Sequence, residues 1–259
     1  EINLYSTEMS SALCSIDRVS ASANMNNRLS EAIVEAYKST NGAPISFELM
    51  LKCYQSRMKD ANNDDSISSV LKQLVNAHIF ESEDKVSLID DSYIIKMDGY
   101  PKDGPIAKAI VYFLMSKLNN IYELLDKQAV NDEVVQIRHF SIIDEAHYML
   151  DFDNRPLRNL IAVGRNKGLS IILATQNMSS FKSKGFDFYA NAQYPLIMKQ
   201  QTIDDKVIKD LFGVSGQELQ EIRTAIAGLQ KGELIIKDQM AFALGMGNKY
   251  KKINVTHLI

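Results

Sequence analysis

Phe140-Ser141-Ile142-Ile143-Asp144-Glu145-Ala146-His147 is an apolar run that ends in two acids. The run predicts a buried strand. Asp and Glu are almost never interior unless paired, so Asp144 and Glu145 belong at its carboxyl end. In open α/β sheets that end faces the crevice where ligands bind. One carboxylate there can hold Mg²⁺ through water, and a second can polarise an attacking water during phosphoryl transfer. A structural role competes: Asp144 caps the following helix and Glu145 sits in its first turn, where the dipole favours negative charge.

A second strand of the same kind, Ser170-Ile171-Ile172-Leu173-Ala174, ends in Thr175-Gln176 about thirty residues on. Alone it is an ordinary strand end. Beside Asp144-Glu145, Gln176 becomes a group that can orient a water or sense a γ-phosphate, because the tips of two neighbouring parallel strands face one site. Between the strands lies Val163-Gly164-Arg165-Asn166-Lys167-Gly168. Arg165 is either a surface residue favoured near a helix end or an arginine finger, a planar cation that neutralises the charge of the transferring phosphoryl group. Lys182 and Lys184 lie in a basic loop beside Phe181 and Phe186. DNA phosphate contact without sequence readout and a plain solvated loop are equal readings of it.

One part of a nucleotide site is missing. No G-x-x-x-x-G-K-[ST] occurs, and the nearest approach, Gly99-Tyr100-Pro101-Lys102-Asp103-Gly104, continues as Pro105-Ile106. Without loop amides and a lysine to cradle phosphates, residues 1–259 alone are expected to bind ATP poorly. Either that loop lies upstream of Glu1, or the fold is a degenerate ATPase.

The elements that must position these residues follow from periodicity. Residues 1–85 read as an all-helical unit. Leu29, Ile33, Ala36 and Tyr37 fall at helical spacing before the stop Asn41-Gly42; Pro44 and Ser46 start a second helix; Ser66 caps a third carrying Ile67, Val70, Leu71 and Leu74. From residue 86 the pattern turns to βαβ units and a mostly parallel sheet. Strands are predicted at Tyr93–Met97, Phe140–Ile143, Ser170–Ala174, Tyr194–Met198 and Glu233–Ile236. Helices are predicted over Asp103–Leu125, Leu157–Val163 and Ile203–Ala227. The stripe Ile110, Phe113, Leu114, Lys117, Leu118 and Ile121 reads as core packing.

Composition narrows the partners. Apolar residues are 46% and charged residues 24%, as in soluble globular proteins, which excludes disordered and fibrous classes. Lys+Arg 29 against Asp+Glu 32 leaves no global cationic field, so any nucleic-acid contact must be local. Cys14 and Cys53 are too few for a disulfide framework or thiolate zinc site; both are expected as buried small residues in a reducing cytoplasm. No apolar stretch is long enough to cross a membrane.

Taken in order, the helical part, Tyr93-Ile94-Ile95-Lys96-Met97 with the helix after Pro105, IIDEAH at 142–147, VGRNKGLSIILATQ at 163–176 and AGLQKGELIIK at 227–237 resemble the HerA/FtsK/VirB4 superfamily of RecA-like motor ATPases. The resemblance implies an α/β RecA-like P-loop core over 86–259, lacking its Walker A part, with 1–85 as a helical insertion: the C-terminal portion of a longer protein. It implies ATP and Mg²⁺ as cofactors, Asp144 and Glu145 as the Walker B pair, Gln176 as the sensor, and Arg165 acting on a neighbouring subunit's nucleotide. Gly232-Glu233 would begin the last core strand. It further implies double-stranded DNA and a self-assembled ring, a hexamer, as partners, with other restriction or motor subunits. Within the superfamily the chain looks like the HerA-like ATPases of phosphorothioation-dependent DNA restriction, the DptH type. DEAH is also the box of superfamily 2 helicases, but those need a second RecA-like domain with an arginine-rich motif, and Arg223 is the single arginine after Gln176. A noncatalytic scaffold or nucleotide-sensing subunit is the alternative function.

Overall fold

In the computed structural model, helices α1 (Ile2–Ile16), α2 (Ala23–Ser39), α3 (Phe47–Gln55) and α4 (Ser66–Asn76) come first. The residues described are 2–16, 21–41, 43–59, 64–79, 87–131, 134–183, 186–245 and 249–255. Three of these helices start on side-chain caps that satisfy amides the helix itself leaves open. Ser22 accepts from Met25 N–H, Ser46 from Leu49 N–H, and Asp65 from Ser68 N–H, with Ser68 Oγ accepting the Asp65 amide in return. Successive helices pack on one another and bury Leu13, Leu29, Ile33, Tyr54, Ile67 and Leu74.

The α4 cap is therefore Asp65, and Ser66 is the first helical residue. The carboxylate can do more than a hydroxyl could. It also accepts the Tyr54 hydroxyl at 2.6 Å and pairs with Arg28 at 3.2 Å. Burial, then the hydrogen bond to Asp65, pushes the Tyr54 phenol well above its ordinary pKa. Asp65→Ala removes the cap and leaves a buried hydroxyl without its acceptor. The expected cost is about 1–3 kcal/mol, read from the denaturant midpoint, and a change below about 0.5 kcal/mol would discount the cap and the buried tie together.

The remaining elements are α5 (Pro105–Leu124), β1 (Val130–Asn131), β2 (Val134–Val135), β3 (His139–Ile143), α6 (His147–Leu150), α7 (Arg155–Val163), β4 (Leu169–Leu173), β5 (Lys182–Ser183), β6 (Phe186–Asp187), α8 (Phe188–Asn191), β7 (Leu196–Ile197), α9 (Asp205–Phe212), α10 (Gly216–Ala227), β8 (Glu233–Lys237), α11 (Gln239–Leu244) and β9 (Tyr250–Asn254). The chain forms two compact units, residues 1–141 with 151–172 and residues 142–150 with 173–259. Both β3 and β4 pass from the first into the second.

In the first unit α5 packs on α7. Leu118, Tyr122, Leu160 and Leu169 form a core there, with Ile171 of β4 against it. Buried Lys108 pairs with Asp151 at 3.1 Å. The second unit packs α9 and α10 through Val207, Ile208, Phe212, Ile222 and Ile226 onto Ile197 of β7 and Ile235 of β8.

Several expectations are corrected. Tyr93–Met97 forms no strand with any described residue, and Ile94 is 89% exposed: an apolar run becomes a strand only when a neighbour takes its backbone hydrogen bonds. The strand after Phe140 is not buried; it alternates, with Phe140 57% and Ile142 69% exposed, because one face alone is packed. The parallel sheet is small. Arg138 N–H donates to Gly168 O at the start and Ala174 N–H to Ile143 O at the end, which makes the β3–β4 pair parallel. The pairs β1–β2 and β5–β6 and the sheet β7–β8–β9 are antiparallel. The helix expected over 203–227 is two, since Gly213 ends α9 in a left-handed conformation at φ 61°. On α5 the buried face carries Lys108, Val111, Tyr112, Leu118, Asn119 and Tyr122, so most of the expected stripe is its half-exposed flank. Cys53 is buried and its thiol pKa is raised by that burial, whereas Cys14 is half-buried. No helix among the described residues is long and apolar enough to cross a membrane.

Candidate functional site

The turn after β3 is set by its own residues. Asp144 is exposed, and its Oδ1 accepts the amide of the adjacent Glu145 at 2.8 Å, a local side-chain-to-backbone bond. The bond described for this carboxylate goes to the next residue and not into the four-residue helix α6. Glu145 follows in a left-handed conformation at φ 50°, one that costs a non-glycine residue about 1–3 kcal/mol and persists only where its surroundings over-determine it. Here the surroundings are backbone bonds. Ala174 N–H donates to Ile143 O at 3.0 Å and Ala146 N–H to Ala174 O at 2.7 Å, which ties the turn to the chain leaving β4.

That tie brings the two strand tips together within the second unit. Gln176 Nε2 donates to Glu145 Oε1 at 2.7 Å, a short hydrogen bond onto a carboxylate. The other oxygen, Oε2, is buried with no hydrogen-bond partner and lies 3.4 Å from His147 Nδ1. His147, the first residue of α6, also places Nδ1 3.5 Å from Thr175 Oγ1, and its ring centre is 4.0 Å from that of Tyr148. Sequence reasoning alone misses Thr175 and His147. The available signal was the two-residue spacing of Glu145 and His147 straight after a strand.

The other candidates lie elsewhere. Arg165 is in the first unit, exposed on the 3-10 turn Gly164–Lys167 that joins α7 to β4. Gly168 closes that turn at φ 82°, donating to Arg165 O; a Cβ there would meet Gln136 O at 2.7 Å, so only glycine fits. Lys182 lies in β5, and Lys184 falls outside the described residues. A cavity of about 500 Å³ in the second unit is lined by Asp187, Tyr189, Tyr194, Asp210, Lys237 and Gln239, with none of the candidate residues.

Among the described residues no group of three or more His, Cys, Asp and Glu could hold a metal by itself. Mg²⁺ does not require one: it keeps several waters and takes one or two carboxylates together with substrate phosphates. The exposed carboxylate of Asp144 fits that donor set.

No protein-family model matches the chain, and no curated protein does. Among solved structures the chain is similar to VirB4 of Thermoanaerobacter pseudethanolicus, with a TM-score of 0.62 at 16% identity over 97% of this chain and 68% of that one. The chain therefore has a mixed α/β fold like that of VirB4.

Proposed function

We propose that this VirB4-like fold is the C-terminal portion of a RecA-like motor ATPase of the HerA/FtsK/VirB4 kind, with residues 1–85 as a helical insertion on a core over 86–259. The observation that carries the reading is the 2.7 Å contact between Gln176 and Glu145, with Asp144 beside them at the exit of β3. Two strand tips then offer one acid for a cation, one for a water, and an amide between them. Asp144 would hold Mg²⁺ through water, and the ion would offset charge on the phosphates of ATP. Glu145 would accept the proton of the attacking water, and Gln176 would orient that water or sense the γ-phosphate.

The finer reading is DNA translocation or unwinding by a cytoplasmic ring, a hexamer, on double-stranded DNA within modification-dependent restriction. Lys182 and Lys184 would meet phosphates, and Arg165 would reach a neighbouring subunit's nucleotide. Residues 1–259 contain no glycine-rich phosphate loop, so the purified chain is expected to show no measurable ATP hydrolysis and at most weak nucleotide binding. Turnover should require a polypeptide or assembly that supplies such a loop. Robust Mg²⁺-dependent hydrolysis by the chain alone would relocate the phosphate site. Tight nucleotide binding without turnover in any assembly would favour a nucleotide-sensing scaffold.

A further inference from the structure

The reaction just described leaves His147 and Thr175 without a part. Glu145 Oε2 is a buried carboxylate oxygen that accepts no hydrogen bond, an arrangement that is costly unless a donor faces it. The atom facing it is His147 Nδ1 at 3.4 Å, within ion-pair range. The same nitrogen faces Thr175 Oγ1 at 3.5 Å, and that oxygen also lies 3.5 Å from the Asn177 amide that points at it.

We propose that His147 is a positioning residue for Glu145: a proton on Nδ1 holds Oε2 and fixes the carboxylate plane while Gln176 occupies Oε1. The proposal deepens the ATPase reading and rests on it for its catalytic meaning.

The chemistry follows from which nitrogen bears the proton. The hydrogen bonds a ring nitrogen makes decide whether it is protonated. With the proton on Nε2, the Nδ1 lone pair would point at a carboxylate lone pair. With the proton on Nδ1, both facing oxygens become acceptors. The backbone bonds that join Ile143, Ala174 and Ala146 fix the chain segments that carry the two oxygens, and the Tyr148 ring centre lies 4.0 Å from that of the imidazole. Glu145 is thereby held at both oxygens, which a carboxylate on a left-handed turn residue needs if it is to present a constant direction to a water.

Two measurements test this. The first uses the chain itself with ¹⁵N-labelled histidine: four histidines are present, and His147 is assigned by the signal lost in His147→Gln. The expected spectrum at neutral pH shows His147 protonated at Nδ1, reverting to the Nε2 form in Glu145→Ala. An Nε2 form in the unsubstituted chain, or a tautomer indifferent to Glu145→Ala, overturns the proposal. The second uses the ATP-hydrolysing assembly. His147→Gln, whose amide overlays Nε2, should lower kcat about tenfold or more with KM within about twofold, and His147→Asn, whose amide overlays Nδ1, should recover most of it. Equal losses in the two variants, or a change in KM alone, overturn it. If the unsubstituted assembly shows no turnover, the ATPase reading fails while the tautomer still decides the role of His147. Should a variant not fold, the spectrum of the unsubstituted chain keeps the question open to refutation.

Discussion

Glu145→Gln is expected to abolish most ATP turnover in the hydrolysing assembly while nucleotide binding persists. The substitution keeps the shape of the side chain but removes the negative charge and the basic oxygen, and leaves one acceptor where the carboxylate offers two. An amide cannot accept the proton of an attacking water, so the loss should fall on kcat and not on KM. The two strand tips should stay together, because they are joined by backbone bonds from Ala174 to Ile143 and from Ala146 to Ala174, and these do not involve the side chain. Single-turnover hydrolysis beside an equilibrium binding assay separates the two effects. If the variant keeps turnover within about threefold, well under about 1 kcal/mol in barrier, Glu145 is not the group that activates water.

Arg165→Ala is expected to bind ATP normally and hydrolyse it poorly, and to regain partial activity when mixed with Glu145→Gln protein. Arg165 is exposed on the short turn between α7 and β4, a placement from which a long cation can be offered outward. An arginine supplied in trans is worth about 10³ to 10⁵ in rate in the best-characterised phosphoryl-transfer enzymes. In a mixed ring some interfaces pair an intact Glu145 on one subunit with an intact Arg165 on the next, and only a trans role allows those interfaces to work. ATPase assays across mixing ratios, with ring assembly verified by light scattering, read the outcome. A mixture as inactive as either parent would return Arg165 to a surface role.

Much of the local structure is written in the sequence. Ser22 and Ser46 cap the helices they precede, Pro105 opens α5 at its first turn, and the apolar runs before Asp144 and Thr175 form the strands β3 and β4. These are decided by neighbours within a few residues: a cap needs an amide three positions on, and a strand needs side chains that favour an extended, half-buried backbone. What tertiary structure decided is pairing. Nothing in Tyr93–Met97 shows that it pairs with no described strand, and nothing in Leu196–Ile197 or Glu233–Lys237 shows that they run antiparallel, because the partner of a strand lies tens of residues away. Asp65 rather than Ser66 caps α4 through the Ser68 amide, and the contacts of its carboxylate with Tyr54 and Arg28 are ones that only packing creates. At the site the acids and Gln176 were legible as strand tips. Their approach to 2.7 Å, the left-handed backbone of Glu145 and the place of His147 facing its second oxygen come from the hydrogen bonds between β3 and β4, which set distances that residue spacing along the chain does not.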